Sequence, residues 1–259
     1  MNEELKKISQ EKIKKVFFDN FRRTLTPAEI DEIFKNMVAQ TTKELSKIPN
    51  IQQRDIDRYF ETEKFEIVFS PRQVHKEISI ILKNIGLQTL EESKKYKRLS
   101  EMNDAACLSL ALKKAWGEEW VIKGQDNPDI ILVKRSGKRF NEKPFYGINL
   151  EIMQVPQREK EKMNQEKIEQ EIAQFIAKKK FLMRYGQYPH LLIHFNFTHK
   201  QLRLEEISKA IMKISGNPFH QIWIRATTDP AFSKMVLTQI YPDFLKVEFD
   251  FERDSHLYF

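Results

Sequence analysis

The chain has 259 residues, of which 41% are hydrophobic, enough to bury one large core or two small ones and to exclude a disordered polymer. Its net charge of +7 admits anionic partners such as nucleic acid, although the two signs are mixed rather than blocked and a lysine-rich surface without a partner gives the same balance. One cysteine excludes an intrachain disulfide framework, and seven glycines leave no glycine-rich phosphate loop or dinucleotide fingerprint.

No secretory-type apolar segment or membrane-length apolar run is present, so a reducing, cytoplasmic setting without a membrane partner is expected. Residues 1 to about 48 predict helices, with Leu5, Ile8, Ile13, Val16, Phe17 and Phe21 at helical spacing. Thr26-Pro27-Ala28-Glu29 predicts a helix start, with Thr26 as cap, Pro27 in the first turn and Glu29 closing a capping box. Ile30, Ile33, Phe34, Met37 and Val38 continue the apolar stripe, and Lys12, Lys14, Lys15, Arg22 and Arg23 add local positive charge. A pair of amphipathic helices with solvated lysines is favoured there over a DNA-contacting arm.

Residues 49–53 read as a connection, and Phe65 to Phe69 as a short strand. Ser70-Pro71 starts a helix with Val74, Ile78, Ile81, Leu82 and Ile85 on one side, ended by Gly86. The polar run 88–98 is a candidate hinge, so the expected division is an N-terminal helical region, 1–98, and an α/β domain, 99–259. Ser100 is the expected N-cap of the most buried helix, with Ala105, Leu108, Ala111, Leu112, Ala115 and Trp116 on a wide apolar face. Cys107 belongs on that face as a small hydrophobe. Glu101 and Asp104 sit in the expected first turn, where acids complement the helix dipole.

Strands are expected at 120–123, 130–133 and 146–155, ended by Pro156, and a long helix at 157–185. A strand at 191–197, a helix at 203–214, a strand at 221–226, a short helix at 230–237 and a last strand at 245–251 complete the expectation. His190 and His194 would lie about 13 Å apart on a strand, too far to chelate one ion. Trp116, Trp120 and Trp223 read as core residues.

The stretch with chemistry is 127–154, NPDIILVKRSGKRFNEKPFYGINLEIMQ. Asp129 opens one apolar run and Glu151 lies inside the next, so the two acids stand on neighbouring strands of a hairpin, close enough to share a metal ion. Glu151 lies in a run apolar enough for a central strand, where an acid is costly unless partnered or metal-bound. Structural roles are open as well: Asp129 as a turn residue after Pro128, and Glu151 paired with a lysine of the long helix.

Read as helix, three strands, helix and strand, residues 100–197 resemble the core of the PD-(D/E)XK nuclease superfamily. The resemblance implies a restriction-endonuclease-like α/β core, αβββαβ, with an added N-terminal helical region. Pro128-Asp129 matches the family's Pro-Asp, Glu151-Ile152-Met153 falls where acid-x-Lys belongs, and Glu101 matches the acid of the first helix. It further implies that Asp129, Glu151 and the Ile152 carbonyl hold Mg²⁺ or Mn²⁺, with Glu101 holding a metal-bound water or second ion. Oxygen donors of this kind suit magnesium, which retains several waters. Such an ion neutralises phosphate charge and produces hydroxide near neutral pH.

Met153 occupies the position of the family's lysine, and a thioether cannot supply that charge. Lys114, Lys123 and Lys178-Lys179-Lys180 are the candidate cations from other elements. Gln154 should point to the opposite side of its strand from Glu151. The expected function is a metal-dependent nuclease, or a degenerate relative that still binds nucleic acid, DNA more than RNA. The alternative is a non-catalytic module on the same fold with a protein partner or a second copy of itself.

Overall fold

The computed structural model describes residues 3–46, 52, 67–85, 94–124, 129–134, 147–185, 189–196, 202–227, 234–250 and 253–254. Helix α1 spans Glu3–Phe21 and α2 spans Pro27–Leu45. The capping box forms as expected: the Thr26 amide donates to Glu29 at 2.9 Å, and the Glu29 amide donates to the Thr26 hydroxyl at 3.3 Å. Helix α3, Pro71–Ile85, starts with the same device, in which Ser70 and Gln73 exchange hydrogen bonds of 2.9 and 3.2 Å. Before it, Phe69 makes an isolated bridge to Ile122; residues 53–66 lie outside the described residues, and with them the first two of the expected strand at 65–69, of which 67 and 68 are not in a strand.

The long buried helix α4 runs Lys97–Trp116. It follows a 3-10 turn at Lys94–Tyr96, so Ser100 is inside the helix and not its N-cap. The Ser100 hydroxyl instead accepts the Gln154 side-chain amide at 3.0 Å. Gly117, at φ 69°, adopts the left-handed conformation that glycine tolerates, and its amide donates to Lys113 to end the helix.

Seven strands follow: β1 Trp120–Gly124, β2 Ile130–Lys134, β3 Gly147–Pro156, β4 Pro189–Asn196, β5 Gln221–Thr227, β6 Lys234–Tyr241 and β7 Leu245–Asp250. They form one mixed sheet in sequence order. Strands β1, β2 and β3 pair antiparallel, β3, β4 and β5 pair parallel, and β5, β6 and β7 pair antiparallel. The parallel steps require crossovers. The first carries α5, Gln157–Glu161, and α6, Ile168–Lys180; the second carries α7, Leu204–Met212.

Strand alternation sorts the core into two layers. Ile148, Leu150, Ile152, Leu192 and Trp223 join a cluster with α1 to α4, whereas Met153, Val155, Leu191, Ile193, Ile222 and Ile224 join α6 and α7. The N-terminal helices enter the first layer directly: Phe17 and Phe21 stack edge-on against Phe69, with ring centres 5.3 and 4.9 Å away.

Three expected elements are corrected. Residues 234–241 are a strand rather than the end of a helix, because Met235 to Ile240 are buried between β5 and β7, where an extended segment fills the ladder. The expected helix 157–185 is two helices separated by a 3-10 turn at Gln165–Lys167, with Asn164 accepting the Glu166 amide at 2.9 Å. Trp116 is 45% exposed at the end of α4, while Trp120 and Trp223 are core residues as expected.

Candidate functional site

The site forms where β2 begins beside the middle of β3. Ile130 pairs with Leu150 and Ile131 with Asn149, and Asp129 immediately precedes the first paired residue of β2. The Asp129 Oδ2 accepts the Ile152 amide at 3.0 Å, so a side chain takes the place that a further β2 residue would occupy. The amide and carbonyl of one strand residue point to the same edge, which directs the Ile152 carbonyl to the Asp129 side.

Glu151 is buried on the α6 face. Its Oε2 lies 3.2 Å from the Nζ of Lys180, the last residue of α6. Met153 shares that face and is buried in the apolar cluster of α6. Among the cations considered in sequence, Lys114 instead pairs with Asp254 at 2.6 Å. Gln154 points to the opposite face, as expected, toward Ser100 of α4.

Glu101 approaches from α4 and is 5% exposed. Lys97 and Arg98 each lie 3.1 Å from its carboxylate. The same Arg98 nitrogen donates to the Asp129 carbonyl and so ties α4 to the start of β2. Burial and then the Asp129 charge push the Glu101 carboxyl above the usual range, against the pull of Lys97 and Arg98. Tyr185 follows α6 and packs its ring 4.7 Å from that of Phe219. Its hydroxyl donates to the Lys180 carbonyl at 2.9 Å. Its phenol is pushed up to about 12 by burial, then by the charges of Glu151 and Asp129.

The donors offered by Asp129, Glu151 and the Ile152 carbonyl are all oxygen. They suit a magnesium-type ion, which uses one or two carboxylates and leaves other positions to water and phosphate. Among the described residues no group of three or more His, Cys, Asp or Glu side chains is placed to hold a metal ion, so Asp129 and Glu151 do not form a ready-made cage with Glu101.

A second buried polar group lies under α4. Gln154, His194 and Arg225 occupy successive positions across β3, β4 and β5. The last two meet Asp104, which is wholly buried: Arg225 donates to Asp104 Oδ1, and His194 Nδ1 lies 3.3 Å from the same oxygen. Burial resists ionisation of Asp104, but the His194 and Arg225 charges hold its carboxyl below the usual range. Asp104 is therefore tied to the sheet rather than complementing a helix dipole at the surface. Cys107 is buried nearby, with its thiol pushed up to about 11 by burial, which suits a core residue and not a nucleophile.

Comparison with protein-family models, curated proteins and solved structures returned no match. Among the described residues no helix is long and apolar enough to cross a membrane.

Proposed function

We propose that this α/β protein is a metal-dependent nuclease of the PD-(D/E)XK kind, acting on DNA. The observation that carries the reading is the Asp129 carboxylate on the amide of Ile152, next in sequence to Glu151, with the Lys180 ammonium on the Glu151 carboxylate. The element order supports it: α4, three antiparallel strands, α6 and a parallel fourth strand agree with the order the resemblance implies.

In this reading Asp129, Glu151 and the Ile152 carbonyl hold Mg²⁺ or Mn²⁺, and Glu101 accepts from a coordinated water. The bound ion would neutralise phosphate charge and lower the pKa of its water. Lys180 supplies the positive charge that Met153 cannot, stabilising charge that develops on the phosphate. Tyr185 and Arg98 position Lys180 and Asp129 through their carbonyls.

A second reading is a nucleic-acid-binding protein without cleavage. It is favoured by the fact that each acid already has a protein partner: Ile152 for Asp129, Lys180 for Glu151, and Lys97 with Arg98 for Glu101. Incubation of the pure protein with labelled DNA in Mg²⁺, Mn²⁺ or EDTA separates the two. Cleavage dependent on the divalent ion supports the nuclease; EDTA-insensitive binding with no cleavage under any ion supports the second.

A further inference from the structure

The acid-free stretch that begins in α6 carries an additional surface. From Ile172 to Leu202 the sequence contains no Asp or Glu, while Lys178, Lys179, Lys180 and Arg184 cluster around the end of α6. Several other surface lysines are paired with acids, for example Lys14 with Glu11, Lys162 with Glu159 and Lys209 with Glu206. Lys178, Lys179 and Arg184 are exposed, and none has a carboxylate partner among the described residues.

Between these cations the chain projects two apolar side chains. Leu182 is 87% exposed and Met183 53%. The flanking aromatics point inward. Phe181 is buried with its ring 6.3 Å from Phe219, and the Tyr185 ring is 4.7 Å from the same residue. The Phe181 amide continues the helix by donating to Ala177 at 2.9 Å, and the Tyr185 hydroxyl returns to the Lys180 carbonyl. Both ends of the projection are thus fixed, and Lys180 attaches its base to Glu151 at 3.2 Å.

We infer that residues 178–184 are a wedge for duplex DNA, in which Lys178, Lys179 and Arg184 bind phosphates while Leu182 and Met183 press between base pairs and kink the duplex beside Asp129 and Glu151. The inference rests on the nuclease reading for its substrate. Apolar wedges of this type partly unstack base steps, and their cost is offset by the wider protein contact that bent DNA allows. The cations fix register on the backbone without reading sequence. Leucine and methionine lack the flat rings on which single-stranded bases stack, which favours a duplex over a single strand.

The test uses the full chain in EDTA, so that binding is measured without cleavage. A short duplex with dyes at both ends reports affinity by anisotropy and bending by energy transfer. Lys178→Ala/Lys179→Ala/Arg184→Ala should reduce the slope of log affinity against log salt by about 0.9 per lost contact, or roughly 2.7 in all. Leu182→Ala/Met183→Ala should keep the slope but return energy transfer to that of free duplex. Both variants should melt like the wild type, because the altered side chains are exposed. The wedge is overturned if the wild type does not bind duplex DNA, if the first variant keeps the full salt slope, or if the second bends DNA like the wild type. It is equally overturned if the second variant changes only self-association in sedimentation, which would make the patch a contact between copies. Binding and bending as expected in EDTA, with no cleavage in Mg²⁺ or Mn²⁺, would support the wedge and reject the nuclease reading alone.

Discussion

The ammonium of Lys180 lies 3.2 Å from the Glu151 carboxylate, joining the end of α6 to the middle of β3. This contact suits either a structural ion pair or a charge positioned for catalysis, and a rescue experiment tells them apart. We expect Lys180→Ala to lower cleavage by about 10²–10³-fold, the usual loss for one charge-stabilising group. Position 153 shares the face of Glu151, so Met153→Lys in the Lys180→Ala background should restore part of the rate. Cleavage assays with thermal melts check this. Restored stability without restored cleavage would leave Lys180 a structural role only.

The Asp104–Arg225 pair is buried far more completely, with His194 beside it. Removing one partner leaves the other charge without compensation. Asp104→Ala should therefore destabilise the fold by about 3–5 kcal/mol in urea unfolding.

The same carboxylate sets an acid dependence. Its folded pKa is held below the unfolded value, which is about 3.9. The stability it contributes is fully present above that unfolded value and is lost as pH falls through the folded one. The urea midpoint of the wild type should accordingly drop below about pH 4, and Asp104→Asn, weaker from the outset, should lose less over that interval.

Gly124 brings β1 close to α1. A Cβ added there would come within 1.9 Å of Asn20 Oδ1, and Asn20 is buried with its amide donating to Val16 at 2.8 Å. Gly124→Ala should cost about 1–3 kcal/mol by overpacking. Adding Asn20→Ala should recover part of that loss, since neighbouring sites couple. Strictly additive effects in the double variant would contradict this account of the contact.

Periodicity and punctuation made most of the fold legible. The Thr26-Pro27-Ala28-Glu29 box, the apolar stripe of α3 and the strands at β1 to β5 emerge close to where the residues place them. The errors have local causes. Val236, Thr238 and Ile240 carry strand-forming β-branching, which was outweighed by Pro230 as a helix-start signal. Ser100 has the chemistry of a cap, and only the packing of Gln154 reveals that its hydroxyl is used across the sheet.

The strand pair that brings Asp129 to the amide of Ile152, next to Glu151, was legible in the alternation. Lys180 was one of several named cations, and choosing it required the crossover geometry of α6. The Asp104–His194–Arg225 group was missed, although a histidine within LLIHF and an arginine within IWIRA are the polar interruptions that should have pointed to it. The three residues are separated by 121 positions from first to last, and no spacing rule brings them together.

The decisive measurement is Mg²⁺- and Mn²⁺-dependent cleavage of DNA by the wild type and Asp129→Ala, with thermal melts of both proteins. We expect ion-dependent cleavage by the wild type and none by the variant, which should remain folded because only the Ile152 amide loses its acceptor. A folded Asp129→Ala protein that cleaves like the wild type would contradict the site; a wild type that cleaves with neither ion would contradict the proposed activity.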